Sequence, residues 1–181
     1  MKKLGFNFVR RLWQESRGAE IAEAAAVLPV MFMVLLGIFW FGQAFSIYGA
    51  ITRAAQEGVR AGSVPQCTTC GSPLIYSSYA TTAQTAVNNA LIASHLDPTQ
   101  MQSLSPPTFT GCTGSVSLSC GSTGAACVQV PVQLLTSGQG GGHCGISVYL
   151  QYPFRFWLPF TSLNNQQIML SASASARMEA N

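Results

Sequence analysis

Residues 24–52 contain no formally charged side chain and are dominated by Val, Leu, Met, Ile, Phe and Trp. A helix needs roughly 20 such residues to cross a bilayer, so the run predicts a membrane span at about 24–48. Pro29, inside it, removes a helical hydrogen bond and predicts a kink that membrane helices accommodate. Past Tyr48 the apolar positions thin to helical spacing. Ile51, Ala54, Ala55 and Val59 recur on one face against Arg53, Gln56, Glu57 and Arg60, and no breaker intervenes before Gly62. One long helix over 19–62 is expected, stopped by Pro65 and the Gly/Ser/Thr cluster after it.

The pattern then restarts. Ala80, Ala83, Ala86, Val87, Ala90, Leu91 and Leu96 repeat at helical intervals between Tyr76 and the Asp97-Pro98 stop, predicting a second, shorter helix. From Leu104 onward the texture is β-like. Alternating runs follow Cys127, Gly145 and Gln167. Pro131 inside the first of these predicts an edge strand or a bulge. Residues 137–142 read as a glycine-rich loop, and Phe154, Phe156, Trp157 and Phe160 as an apolar cluster between the last two strands. The fold class is α+β: a long N-terminal transmembrane helix, a second shorter helix, and a small antiparallel sheet head packed on them. The domains expected are a basic leader at 1–18, the long helix at 19–62 and an extracytoplasmic head at 63–181.

Charge sets the orientation. Five of the nine bases, Lys2, Lys3, Arg10, Arg11 and Arg17, precede the span with Glu15 alone against them, which favours a cytoplasmic N-terminus. Beyond Arg60 the charged residues are Asp97, Arg155, Arg177 and Glu179. The head therefore lacks the clustered bases of a nucleic-acid-binding face. All six cysteines, Cys67, Cys70, Cys112, Cys120, Cys127 and Cys144, lie after the span, as suits disulfides in an oxidising compartment. Six cysteines allow 15 pairings, and the spacing selects none of them.

Candidate chemistry is sparse. Cys67-Thr-Thr-Cys70 has a redox-motif spacing, but a Gly-Ser-Pro turn follows and no strand-helix alternation surrounds it. His95 and His143 show no ligand spacing with the cysteines, so no metal or cofactor is expected. The head has too few acids for a carboxylate pair, and no nucleophile elbow or phosphate loop is present; an enzyme is not expected. Gly42, Ser46 and Ala50, four residues apart, line one face of the span and would allow close helix–helix approach.

The acids Glu20 and Glu23 at the mouth of the apolar run suit a helix N-terminus, where negative charge meets the macrodipole. They also form part of a wider pattern. A basic leader, Gly18, Glu23 at the fifth position counted from Ala19, the run Glu-Ala-Ala-Ala-Val-Leu-Pro-Val and then Arg53-Ala-Ala-Gln-Glu-Gly-Val-Arg-Ala-Gly62 resemble a TadE-like pseudopilin of the Tad (Flp, type IVc) pilus. Residues 148–178, with Tyr152-Pro-Phe-Arg-Phe-Trp-Leu-Pro-Phe160 and the closing Ser-Ala repeat, are similar to that family's final strand pair. In one departure, Ala24 follows the glutamate where the family usually carries an aromatic residue.

The resemblance implies a minor pilin or pseudopilin, a structural or assembly-priming subunit. It implies cleavage by a prepilin peptidase between Gly18 and Ala19, and Glu23 pairing with the N-terminal amine of a neighbouring subunit. Its partners would be other pilin or pseudopilin subunits, the inner-membrane assembly platform and the lipid bilayer, with no nucleic acid. It would reside in the inner membrane as a single-pass protein, or in an extracellular pilus. Three other readings compete: an uncleaved single-span membrane-anchored binding protein, a thiol oxidoreductase using Cys67 and Cys70, and a secreted protein clipped after Gly42-Gln43-Ala44.

Overall fold

A computed structural model describes residues 16–64, 76–102, 106–112, 117–120, 124–134, 143–155 and 167–178. The uncharged run and the amphipathic turns after it form one helix, α1, Ser16–Ser63, unbroken across Pro29. The chain divides into two compact units, Met1–Gln43 and Ala44–Asn181.

In the second unit, α1 is followed by α2 (Tyr76–Ala93) and a single 3₁₀ turn at Pro98–Gln100. The strands β1 (Ser117–Ser119), β2 (Cys127–Leu134), β3 (His143–Arg155) and β4 (Gln167–Arg177) come next. They pair in sequence order as an antiparallel meander. Alternation decides which face is covered. Ile146, Val148, Leu150, Tyr152 and Phe154 of β3 point into the core, and their partners on β4 are Ala176, Ala174, Ala172, Leu170 and Ile168. The intervening Ser171, Ser173 and Ser175 face outward and are exposed. Pro131 sits at a register shift between Gln129 and Val132 in an interior strand, so of the two placements expected for it the bulge is the one adopted. Beyond Tyr149, where β2 no longer accompanies β3, Gln102 takes its place and exchanges two 2.9 Å backbone hydrogen bonds with Gln151.

The core consists of Ile51, Ala54, Ala55 and Val59 from α1, Ala80, Ala83, Val87 and Leu91 from α2, and the inward face of the sheet, with Met101 beneath. Full burial of an Ile, Leu or Met contributes about 1.5–3 kcal/mol, and Ile51, Leu91, Met101, Ile146 and Leu150 are all completely buried. Small residues let the two helices approach closely. A Cβ on Gly58 would overlap the Val87 side chain, and one on Gly62 would lie 3.0 Å from the Ala83 Cβ and 2.6 Å from Ile146 Cδ1.

Helix α2 ends in a left-handed turn. His95 has φ 58°, its amide donates to the Ile92 carbonyl at 3.0 Å, and the Leu96 amide donates to Leu91 at 2.9 Å. This is a Schellman cap, a geometry in which glycine is the unstrained residue. His95→Gly is expected to stabilise the head by about 1 kcal/mol, seen as a melting point raised by a few degrees; a lowered melting point would mean that the imidazole contributes something the cap does not require.

The next turn is held by Asp97. Its carboxylate accepts from the Thr99 hydroxyl at 2.7 Å and the Thr99 amide at 2.9 Å, and these bonds hold its pKa below the ordinary carboxylate value. A depressed folded-state pKa adds stability above the unfolded pKa of about 4, and that increment disappears as pH falls through the lower folded value. Asp97→Asn should therefore flatten this part of the acid limb; a melt-versus-pH curve unchanged between pH about 6 and about 3 would refute the assignment.

Candidate functional site

The first unit contains the features that distinguish this chain. From Ile21 to Phe41 most of the large apolar side chains of α1 lie bare, Met33 being 75% exposed and Phe41 69%, while Trp40 is half-buried. A stretch of that size is far beyond the apolar patch a soluble monomer exposes. Within Glu20–Ser63 this is a helix long and apolar enough to cross a membrane, with a mean hydropathy of 2.4 and none of the apolar window buried.

Each candidate residue falls on this helix or in the head. Gly18 and Glu23 are exposed, and the backbone of Ala19 is helical. Glu20 and Glu23 lie within α1, which is described from Ser16 onward. Gly42 and Ser46 are exposed and Ala50 is half-buried, with open space around Gly42. Within the head, a separate tight contact is made by Gly58 and Gly62, which have the same four-residue spacing one segment later. Their motif was visible in the sequence; the partner that fills it, α2, was not.

Of the cysteines, Cys112 pairs with Cys144 and Cys120 with Cys127, with Cα–Cα separations of 5.7 and 4.2 Å. Cys67 and Cys70 lie outside the described residues, as do Phe156, Trp157, Phe160, the 137–142 loop and the leader as far as residue 15. The first pair ties the segment that bridges to β2 at Gly111–Val132 onto β3. His143 starts β3 and is half-buried, whereas His95 serves through its backbone in the α2 cap. Among the described residues no group of His, Cys, Asp and Glu could hold a metal ion.

In comparisons with known proteins, a family model described as TadE-like protein matches residues 18–60. No curated protein and no solved structure matches the chain. The matched segment covers the bare apolar half of α1 and its continuation into the head as far as Arg60.

Proposed function

With residues 18–60 matching the TadE-like family, we propose that this chain is a pilin-like structural subunit of a Tad-type pilus, a minor pilin or pseudopilin that takes part in or primes assembly. The family is structural rather than enzymatic, and the chain's chemistry accords with that: it carries a bilayer-length apolar helix and a small disulfide-braced head. The observation that carries the reading is the continuity of α1, whose first half is unburied and apolar while its later turns form the core of the head. Such a helix can pass from lipid into the packed interior of a filament without refolding.

Glu23 gives the proposal its sharpest test. Cleavage after Gly18 would leave Ala19 as the new N-terminus, bringing Glu20 into the region where the dipole favours an acid. Glu23 would then lie one helical turn further on, on the same face as Ala19. A carboxylate there is costly in an apolar environment unless it is paired, and the amine of a neighbouring subunit's Ala19 is a partner of opposite charge. Under this reading the prepilin peptidase and the inner-membrane platform are partners. The N-terminal leader is cytoplasmic and the head faces the opposite side of the membrane.

Intact mass and N-terminal sequencing of protein from native membranes should show a mature chain beginning at Ala19. A chain beginning at Met1 would instead support an uncleaved single-span anchor. Glu23→Ala is expected to leave membrane levels unchanged while abolishing incorporation into filaments; normal incorporation would rule out the pairing role.

A further inference from the structure

The head also has a defined lower end. In the Ala44–Asn181 unit, a Cβ on Gly62 would meet Ile146 and one on Gly58 would approach Val148. Four helical residues rise about 6 Å and two strand residues about the same, so α1 and β3 run antiparallel in step. Continuing that progression toward the start of α1 brings Ala54 level with Leu150, Ala50 with Tyr152 and Ile47 with Phe154. Helix α2 follows the same axis. Gly62 faces Tyr79 and Ala83, Gly58 faces Ala83 and Val87, and the amide of Asp97, just past α2, donates to the Tyr152 hydroxyl at 3.2 Å. The C-terminal end of α2, the end of β3 and the start of β4 therefore share one end of the head with Phe45 and Tyr48.

At that end Ile92 is 59% exposed, Ile168 49% and Phe45 71%, and Arg155, Arg53, His95 and Asp97 are also exposed. Chain continuity leaves no gap beneath it. Tyr48, at the close of the apolar run, is 48% exposed, and Ile51 is already fully buried in the head. Three residues rise only about 4.5 Å, less than the roughly 5–7 Å thickness of one headgroup layer. We propose that the end of the head formed by Ile92, Arg155 and Ile168 rests in the headgroup layer of the phospholipid bilayer. Ile92 and Ile168 insert at the acyl boundary, and Arg155 meets lipid phosphate. Phe45 and Tyr48, at the close of the apolar run, lie at the same end of the head, and Arg155 and Arg53 supply charge complementary to phosphate. It rests on the membrane-anchored reading of α1 and is independent of the subunit's role in a pilus.

The test uses the full chain in vesicles of phosphatidylethanolamine with a minor fraction of phosphatidylglycerol. The photoreactive residue p-benzoylphenylalanine replaces Ile92, Ile168 or, at the opposite end of the head, Val64, which is also exposed. Irradiation at the first two positions should shift the intact mass by one phospholipid, and at Val64 should not. Crosslinks from Ile92 and Ile168 to a second protein copy, or lipid adducts equal at all three positions, would overturn the proposal. Protein washed from the vesicles by alkaline carbonate would refute the membrane anchor itself, whereas retained protein without lipid adducts would refute only the docking of the head.

Discussion

Gly58→Ala is expected to destabilise the head by about 1–2 kcal/mol even though alanine is the better helix former, and Gly58→Leu to prevent stable folding of the head. Alanine in place of glycine gains about 0.8–1 kcal/mol in a helix interior. Against this, the new methyl would overlap Val87 Cγ2 and lie 3.2 Å from the Ala83 carbonyl oxygen and 3.7 Å from Val148 Cγ1. Val87 is β-branched and held to essentially one rotamer in a helix, so it cannot swing clear, and the backbone oxygen moves only with α2. Relief requires the helices to separate, which loosens contacts around Ile51, Ala55 and Val87, all fully buried. Overpacking of this kind costs about 1–3 kcal/mol, and more for a larger side chain. Gly49 provides the contrast. Nothing lies within 4 Å of its added methyl, so Gly49→Ala should be neutral or stabilising by up to about 1 kcal/mol. Urea denaturation of the head in detergent reads both signs, and a Gly58→Ala variant more stable than the parent would refute the close-approach account.

Loss of the Cys112–Cys144 bridge is expected to cost more than loss of Cys120–Cys127. The first closes a sequence separation of 32 residues and the second one of 7. In the loop-entropy description these contribute roughly 3.5 and 2.5 kcal/mol. Strand register adds to the difference. Cys120 lies just past β1 and Cys127 begins β2, on two strands already paired through Ser119 and Val128, so the short bridge repeats a restraint the ladder supplies. The long one secures the stretch ending at Cys112, otherwise held by the Gly111–Val132 bridge, the Gln133 amide to the Thr110 carbonyl at 2.7 Å and the Gln129 side chain to the Pro107 carbonyl at 2.8 Å. The Cys112→Ser/Cys144→Ser variant should therefore unfold at clearly lower urea than Cys120→Ser/Cys127→Ser. Equal midpoints, or the reverse order, would show that chain entropy is not what the bridges supply.

Much of this architecture could be read from the chain, for identifiable reasons. The absence of charge over residues 24–52 is sufficient to define a helix that water cannot cover, and the Ser-Ala alternation of β4 shows its covered face residue by residue. Pro131 announced an edge strand or a bulge because its missing amide leaves few other places for it in a sheet, and the pairing of β2 on both sides leaves the bulge. Other features depend on partners distant in sequence. That Gly58 and Gly62 make an intimate helix contact is decided by the position of α2, which α1 does not encode. Cysteine pairing depends on the loop ending at Cys112 meeting β3. Gln102 looks like any loop residue, yet it extends the sheet where β2 falls short, because β3 is 13 residues long and β2 only 8. On the first half of α1, the spacing in the sequence singles out Gly18, Ala19 and Glu23 as candidates. Their roles concern a second molecule, which is why they are tested by processing and incorporation rather than by contacts within the chain.

The antiparallel alignment of α1 with both α2 and β3 also has a mechanical consequence. In the proposed pilin-like role a subunit is drawn out of the membrane, and a pull applied along the head's own segment of α1, Ile51 to Gly62, runs parallel to α2 and β3, the two surfaces on which that segment is packed. Load in this direction shears all the contacts from Ile51 to Gly62 together instead of peeling them apart one at a time. Resistance to such a pull is set by the unfolding rate under force rather than by equilibrium stability, so the head should remain folded during extraction under loads that would unzip a helix packed across the pulling direction.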